Sequence, residues 1–308
     1  MKKKRGIIER LVVGKPKEKD LTESDLPSTR WGQFKFVFKT RFGILFRLNL
    51  LAAAFFLPFM IFDVVVGSYV ADFVRDMTPQ QHFSHLINLT LLQYASEIPL
   101  LVFGFTGLSG LFYAVRRLCW GQSVKITADF GKGIKQSWLQ FALLGLVSGI
   151  INLLAHYIIN FAVLTLSDGN AILWSLAITL TVVFVMVWCV ALMYALCQAS
   201  LYRLSFFRLI LNSVIFTFKR LFRGLLFCFC SVAPMLIFAC MPWAFMRIVG
   251  CCVAIVFSFG FAALVQTVYC HGVFDVFINS KSYPDFVGMG LAGAKTVEEI
   301  TDADGGEQ

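Results

Sequence analysis

Six apolar stretches, near Ile44–Val66, Ile98–Val115, Ser137–Thr165, Ala171–Leu201, Gly224–Phe245 and Ile248–Phe274, decide what this chain can fold into. Each nears or exceeds the roughly 20 apolar residues that carry a helix across a hydrocarbon layer about 30 Å thick. Inside such a layer backbone N–H and C=O groups find no water, so only helices and closed barrels satisfy them. Barrel strands are short and alternate apolar with polar residues. These stretches are longer and uniformly apolar, so the expected fold is all-α, a six-helix transmembrane bundle. Composition agrees: of 308 residues 58% are hydrophobic and 15% charged, with a mean hydropathy of +0.76, too few charges to coat a water-soluble domain.

The net charge of +9 is a matter of topology rather than a nucleic-acid footprint, because the cations alternate with the apolar stretches. Of 27 Lys and Arg residues, 24 lie before Ile44, within 116–136, within 202–223 or after Phe274. Arg75 and Arg247 fall in the opposite set of connections and Arg47 inside the first stretch. By the positive-inside rule this places both termini in the cytoplasm of a plasma-membrane protein. Met1–Arg5 is followed by charged, Gly-interrupted sequence instead of an apolar signal core, so no cleaved leader is expected. The nine cysteines fall almost entirely in the apolar stretches, where Cys behaves as a small hydrophobe, and no metal-ligand spacing stands out.

The chain divides into a basic tail over 1–30, a membrane domain over 31–278 and an acidic, Gly-rich tail over 279–308, both tails expected to be disordered. One long outer loop, 67–97, is expected, with tight turns at Ser167–Asn170 and Met246–Arg247. The segment Arg203–Arg223 mixes Phe, Leu and Ile with Arg203, Arg208, Lys219, Arg220 and Arg223. That is the composition of an amphipathic interfacial helix resting on an anionic cytoplasmic leaflet, or of a docking helix for a protein partner. Arg116 and Arg117 are expected to snorkel to phosphate headgroups. Trp31-Gly32-Gln33 and Trp120-Gly121-Gln122, each followed by Phe-Gly, hint at an internal repeat.

Phe46–Pro58 (FRLNLLAAAFFLP), Gly107–Arg117 (GLSGLFYAVRR), Ala128-Asp129-Phe130 and Ile134–Leu139 (IKQSWL) resemble the YesL-like membrane proteins of Gram-positive bacteria. The likeness covers the first half well and the rest in topology alone, and about thirty residues near 63–97 have no counterpart in that pattern. The resemblance implies a multi-pass plasma-membrane protein of no established activity whose relatives accompany carbohydrate-uptake systems. It supplies no catalytic residues.

Polar groups within apolar stretches are costly and turn toward the bundle interior. In the third stretch Ser148, Asn152, His156 and Asn160 recur every fourth residue, and so share one helix stripe, as do Gly145 and Gly149. The stripe is either a polar path for a solute or a set of interhelical hydrogen bonds. An imidazole is the side-chain type suited to proton coupling, but with no carboxylate recognised in mid-membrane His156 lacks a relay partner. Gln198 and Gln266 are further interhelical donors, and His271 and Asp275, four apart, are placed to pair. Gly104, Gly107 and Gly110 make a groove for helix packing, since no strand precedes them and no Lys-Ser follows as a phosphate loop requires. His82 and His85, with Asp72 and Asp76, stand in the expected outer loop. No nucleophile–base pair, cofactor motif or metal motif is present, so the expected function is not enzymatic. The chain is expected to be an accessory or permease-like component of solute uptake. The alternatives are a secondary transporter using the third-stretch stripe and a scaffold using the basic segments.

Overall fold

The computed structural model describes residues 26–75, 79–165, 170–239, 249–250 and 252–293, and among these it contains helices and no strands. The long helices are α1 (Arg30–Thr40), α2 (Phe42–Arg75), α3 (Pro79–Cys119), α4 (Ile126–Thr165), α5 (Ala171–Leu201), α6 (Phe206–Lys219), α7 (Leu221–Ala239) and α8 (Phe259–Phe274). Thr29 starts α1 in extended backbone and accepts from Gly32 N at 3.0 Å, an N-cap that satisfies one of the first-turn donors. Wider π turns, Ala254–Ser258 and Asp275–Asn279, flank α8.

Among the described residues five segments are long and apolar enough to cross a membrane: Phe42–Gly67, Ile87–Cys119, Ile126–Val163, Ala171–Leu201 and Ile255–Ser282. Five of the six expected stretches therefore have spanning-length counterparts, as in a multi-pass membrane protein. The remaining one, Gly224–Phe245, corresponds to α7, apolar over Leu221–Pro234, and its last part lies outside the described residues. So do both expected tight turns, apart from Asn170.

The expected outer loop is instead helical. α2 runs on to Arg75 and α3 starts at Pro79. The cause is a polar helix face: Thr90, Gln93 and Glu97 stand three and four residues apart and are all buried. A stretch too polar for a lipid-facing span was thus compatible with an interhelical seam. Glycines make that seam close. A Cβ on Gly133 of α4 would come within 2.8 Å of Ser109 O in α3 and 2.9 Å of the Gly110 Cα. The expected packing glycines all lie at crossings: Gly104 and Gly107 receive Phe56 and Phe55 of α2, Gly110 receives Phe130, and Gly145 and Gly149 receive Phe105 and Ile98 of α3. α2, α3 and α4 consequently run antiparallel in turn.

The apolar core fills the end of the bundle where α3 closes and α5 ends, around Leu45, Leu48, Leu111, Phe141, Leu144, Tyr194, Leu264 and Phe274. Outward, α5 exposes Ile172, Leu173, Leu176, Leu180 and Phe184, a surface suited to hydrocarbon and unsuited to water. Residues 279–293, expected to be part of a disordered tail, fold back on this core. Ala292 N donates to Pro27 O at 3.0 Å, Arg30 to Met289 O at 3.1 Å, and Gln33 to Cys119 O at 2.7 Å. Gly290 makes its turn at a φ of +82°, where a side chain would also strike the Cys119 carbonyl. The two Trp-Gly-Gln segments differ in structure, one opening α1 and the other turning after α3, so the hinted repeat has no structural counterpart there.

Candidate functional site

The α4 stripe divides between two neighbours. Ser148 Oγ accepts from Trp188 Nε1 of α5 at 3.3 Å, whereas Asn160 Nδ2 donates to Thr90 Oγ1 of α3 at 3.0 Å. Between them the His156 ring stacks on Tyr94 of α3, with centroids 4.0 Å apart and planes 23° apart. His156 Nδ1 lies 2.9 Å from the Asn152 carbonyl. A carbonyl only accepts, so Nδ1 is the donor in this contact.

The α3 side of this contact holds Gln93, whose Nε2 donates to Glu97 Oε1 at 3.3 Å. Thr90, Gln93 and Glu97 are 4%, 8% and 1% exposed. A Cβ on Gly67 of α2 would stand 3.7 Å from Gln93 Nε2. One turn earlier on α2, Asp63 interacts electrostatically with both Glu97 and Tyr94. Glu97 and Asp63 both belong to spanning-length helices. The His156 ring thus has two carboxylates within the membrane domain one residue removed, through Tyr94, which it stacks on and which interacts with both Glu97 and Asp63. Glu97 falls at the end of the expected outer loop and Asp63 inside the first expected stretch. The signal was present in the three- and four-residue spacing of Thr90, Gln93 and Glu97.

Three helices thus bring together two carboxylates, an imidazole, a phenol, a carboxamide and a hydroxyl at one end of the bundle. Such a set can hold a proton or a small cation between carboxylates and pass a proton to the imidazole, and its amide and hydroxyl groups can bind a polar solute. Part of it is also plain helix–helix adhesion, as in the Asn160–Thr90 and Trp188–Ser148 bonds.

At the opposite, basic end the expected residues form a clasp. Asp275 accepts from Arg30 of α1 and, at 2.8 Å, from Asn279 Nδ2, so its partners are these rather than His271. Tyr202 donates to Asn279 Oδ1 at 2.5 Å, and burial, aided by Asp275, pushes its phenol above the usual range. His271 is buried against Trp120, ring centroids 6.2 Å apart. Gln198 Nε2 donates to Ser213 of α6 at 3.1 Å while its Oε1 is buried without a partner, and Gln266 donates to Ser231 of α7 at 3.0 Å.

Arg116 departs from expectation. Arg116 is only 8% exposed; its guanidinium lies 4.7 Å from the Tyr113 ring and 4.8 Å from the Trp120 ring and donates to the Ser200 carbonyl, so it ties α3 to α5 and does not reach headgroups. These two cation–π contacts replace part of the water it gives up. Arg117 pairs with Asp129 and donates to Gln122 Oε1 at 2.9 Å. Lys219 and Arg220 lie 5.1 and 5.4 Å from the Phe277 ring, and Arg203, Arg208 and Arg223 are exposed.

The side chains of Asp72, Asp76 and His82 lie outside the described residues, and His85 is exposed on α3. Among the described residues no group of three or more His, Cys, Asp or Glu is arranged to hold a metal ion. No protein-family model, no curated protein and no solved structure matches this chain.

Proposed function

We propose that this protein is a multi-pass component of solute uptake in the bacterial plasma membrane, both termini cytoplasmic, and that the Asp63–Glu97–His156 cluster is where a coupling proton or a polar solute engages it. The uptake link rests on the YesL-like resemblance and the orientation on the cation distribution. The observation that carries the reading is Glu97, 1% exposed at a junction of three helices, beside the His156–Tyr94 stack. A carboxyl in that setting is costly, and a proton, a cation or an opposing charge offsets the cost. Structural adhesion needs only neutral amides and hydroxyls, such as Asn160 and Thr90, so a buried carboxyl is an expensive way to obtain it. In this reading the protein is not an enzyme: its side chains hold and release a ligand without making or breaking covalent bonds.

The test uses the intact protein in proteoliposomes. Dicyclohexylcarbodiimide reacts with protonated carboxyls in apolar surroundings, and peptide mass spectrometry locates the adduct. The expected result is an adduct on Glu97 that declines as pH rises, is absent in Glu97→Gln, and is slowed by those monosaccharides or amino acids that also raise the melting temperature. Single cysteines at positions 152, 156 and 160 are expected to react with water-soluble thiol reagents from one side of the membrane. No adduct at any pH, together with three inert cysteines, would sink the proposal.

A further inference from the structure

The geometry points to a second site, at the basic end: we propose that the cavity between α4 and the α5–α6 connection binds a phosphate ester, the headgroup of an anionic phospholipid. The cavity encloses about 460 Å³, within the size range of small-ligand sites. Its wall contains Gln136, Ser137 and Gln140 of α4, and Tyr202, Arg203 and Ser205 of the connection. Among the described residues no carboxylate lines it, and Arg203 supplies one fixed positive charge. That charge is exposed and has no hydrogen bond or ion pair to any described residue. A guanidinium is the side chain best matched to phosphate oxygens, which it meets through two parallel N–H bonds.

The rest of the wall is rigid or uncommitted in a way that suits such a ligand. Gln140 Nε2 donates to the Leu204 carbonyl at 2.5 Å and Ser137 Oγ to the Ala199 carbonyl at 3.3 Å, so the connection that carries Arg203 is fastened to α4. The Ser205 side chain makes no cap bond to α6, which leaves its hydroxyl to the cavity. The exposed Gln136 adds a carboxamide donor.

The surroundings favour a lipid over a soluble ester. Beside the lining residues in the chain, Trp138, Leu139 and Phe207 are 51%, 55% and 85% exposed. On α6, Phe207, Leu211, Ile215 and Phe218 continue outward at steps of three and four, while Leu209, Ser213, Phe216 and Thr217 face the bundle. A polar cavity opening beside apolar side chains that face away from the protein fits a molecule with a charged head and hydrocarbon tails. The flanking Arg208, Lys219, Arg220 and Arg223 add the field that draws anionic lipids to such a surface.

The experiment is native mass spectrometry of the intact detergent-solubilised protein, titrated separately with phosphatidylglycerol, phosphatidylcholine and glycerol 3-phosphate. The expected result is one retained phosphatidylglycerol, weaker phosphatidylcholine, and no displacement by millimolar glycerol phosphate. Arg203→Gln is expected to weaken phosphatidylglycerol about tenfold, the loss of one charge-assisted contact, with Arg208→Gln, outside the cavity, near wild type. Gln136→Leu provides a second probe should Arg203→Gln fail to fold, with a smaller loss of the same kind. Unchanged binding in the cavity variants, or equal losses in Arg203→Gln and Arg208→Gln, would overturn the site in favour of diffuse surface charge. Displacement by glycerol phosphate would overturn the lipid assignment.

Discussion

Asn49 offers the most exacting test of the packing argument. It is 1% exposed on α2, its Nδ2 donates to the Ile255 carbonyl at 2.6 Å, and its Oδ1 accepts from Gly260 N at 2.7 Å. Its carboxamide therefore bridges two backbone groups five residues apart, across the π turn Ala254–Ser258 that leads into α8. Gly260 lets it do so, since a Cβ there would stand 3.1 Å from both the Asn49 Cβ and the Leu45 carbonyl. Asn49→Leu keeps the volume and strands one donor and one acceptor. Interhelical hydrogen bonds in membranes average about 0.6 kcal/mol and reach about 1.7, and a stranded buried group costs about 1–3 kcal/mol in general. Two bonds lost together give an expected destabilisation of about 1–3 kcal/mol. Reversible unfolding of the intact protein in mixed micelles, titrated with dodecyl sulfate and followed by helix content, measures it. Asn160→Leu, which removes the single bond to Thr90, is the scale bar at about 0.6 kcal/mol. A loss below about 0.5 kcal/mol for Asn49→Leu would mean that the π turn satisfies itself and that the carboxamide is incidental.

Gly133→Ala should cost about 1–3 kcal/mol by the same assay, because its Cβ meets backbone atoms of α3 that cannot step aside. Gly131→Ala, where nothing lies within 4 Å, should be neutral or stabilising by up to about 1 kcal/mol. Asp275→Asn removes the carboxylate that pairs with Arg30, whose Nε already lacks a hydrogen-bond partner, and should expose residues 283–293 to limited proteolysis with a loss of about 2 kcal/mol. For Tyr202 the folded phenol holds its proton more tightly than the unfolded one, so its contribution is complete below about pH 10 and declines above it. The melting temperature should accordingly fall more steeply above pH 10 in wild type than in Tyr202→Phe.

How much of this was legible in the sequence depended on whether one period was at work. α5 matches its expected bounds, Ala171–Leu201, because it is apolar all round and flanked by breaks. The five packing glycines were legible because small residues at helical spacing have few other uses. The far half of α3 was not, since Thr90, Gln93 and Glu97 lower its hydropathy while forming one buried face. The clasp of Arg30, Asp275, Asn279 and Tyr202 joins residues up to 245 apart in sequence, which no local pattern announces. Arg116 was misjudged for a related reason: paired cations at a helix end look interfacial, and only the Tyr113 and Trp120 rings, folded over it, make burial affordable.

The length of α3 and α4 bears on what the Glu97 cluster can do. At about 1.5 Å per residue their 41 and 40 residues make rods of roughly 60 Å, about twice the hydrocarbon thickness. Glu97 lies about 20 residues from Arg117 along α3, or roughly 30 Å, so when Arg117 stands at one boundary of the hydrocarbon Glu97 stands near the other. Two carboxylates at that depth cost less than at the midplane and exchange protons with water without a channel through the bilayer. That geometry favours a mouth, where ligand or proton is first engaged, over an occluded carrier site of the kind that transporters build at the midplane. It also gives the thiol-labelling experiment a direction. Cysteines at positions 156 and 160, near the cluster, should react from the side opposite the basic end and faster than a cysteine at position 148, which faces Trp188 deeper in the bundle.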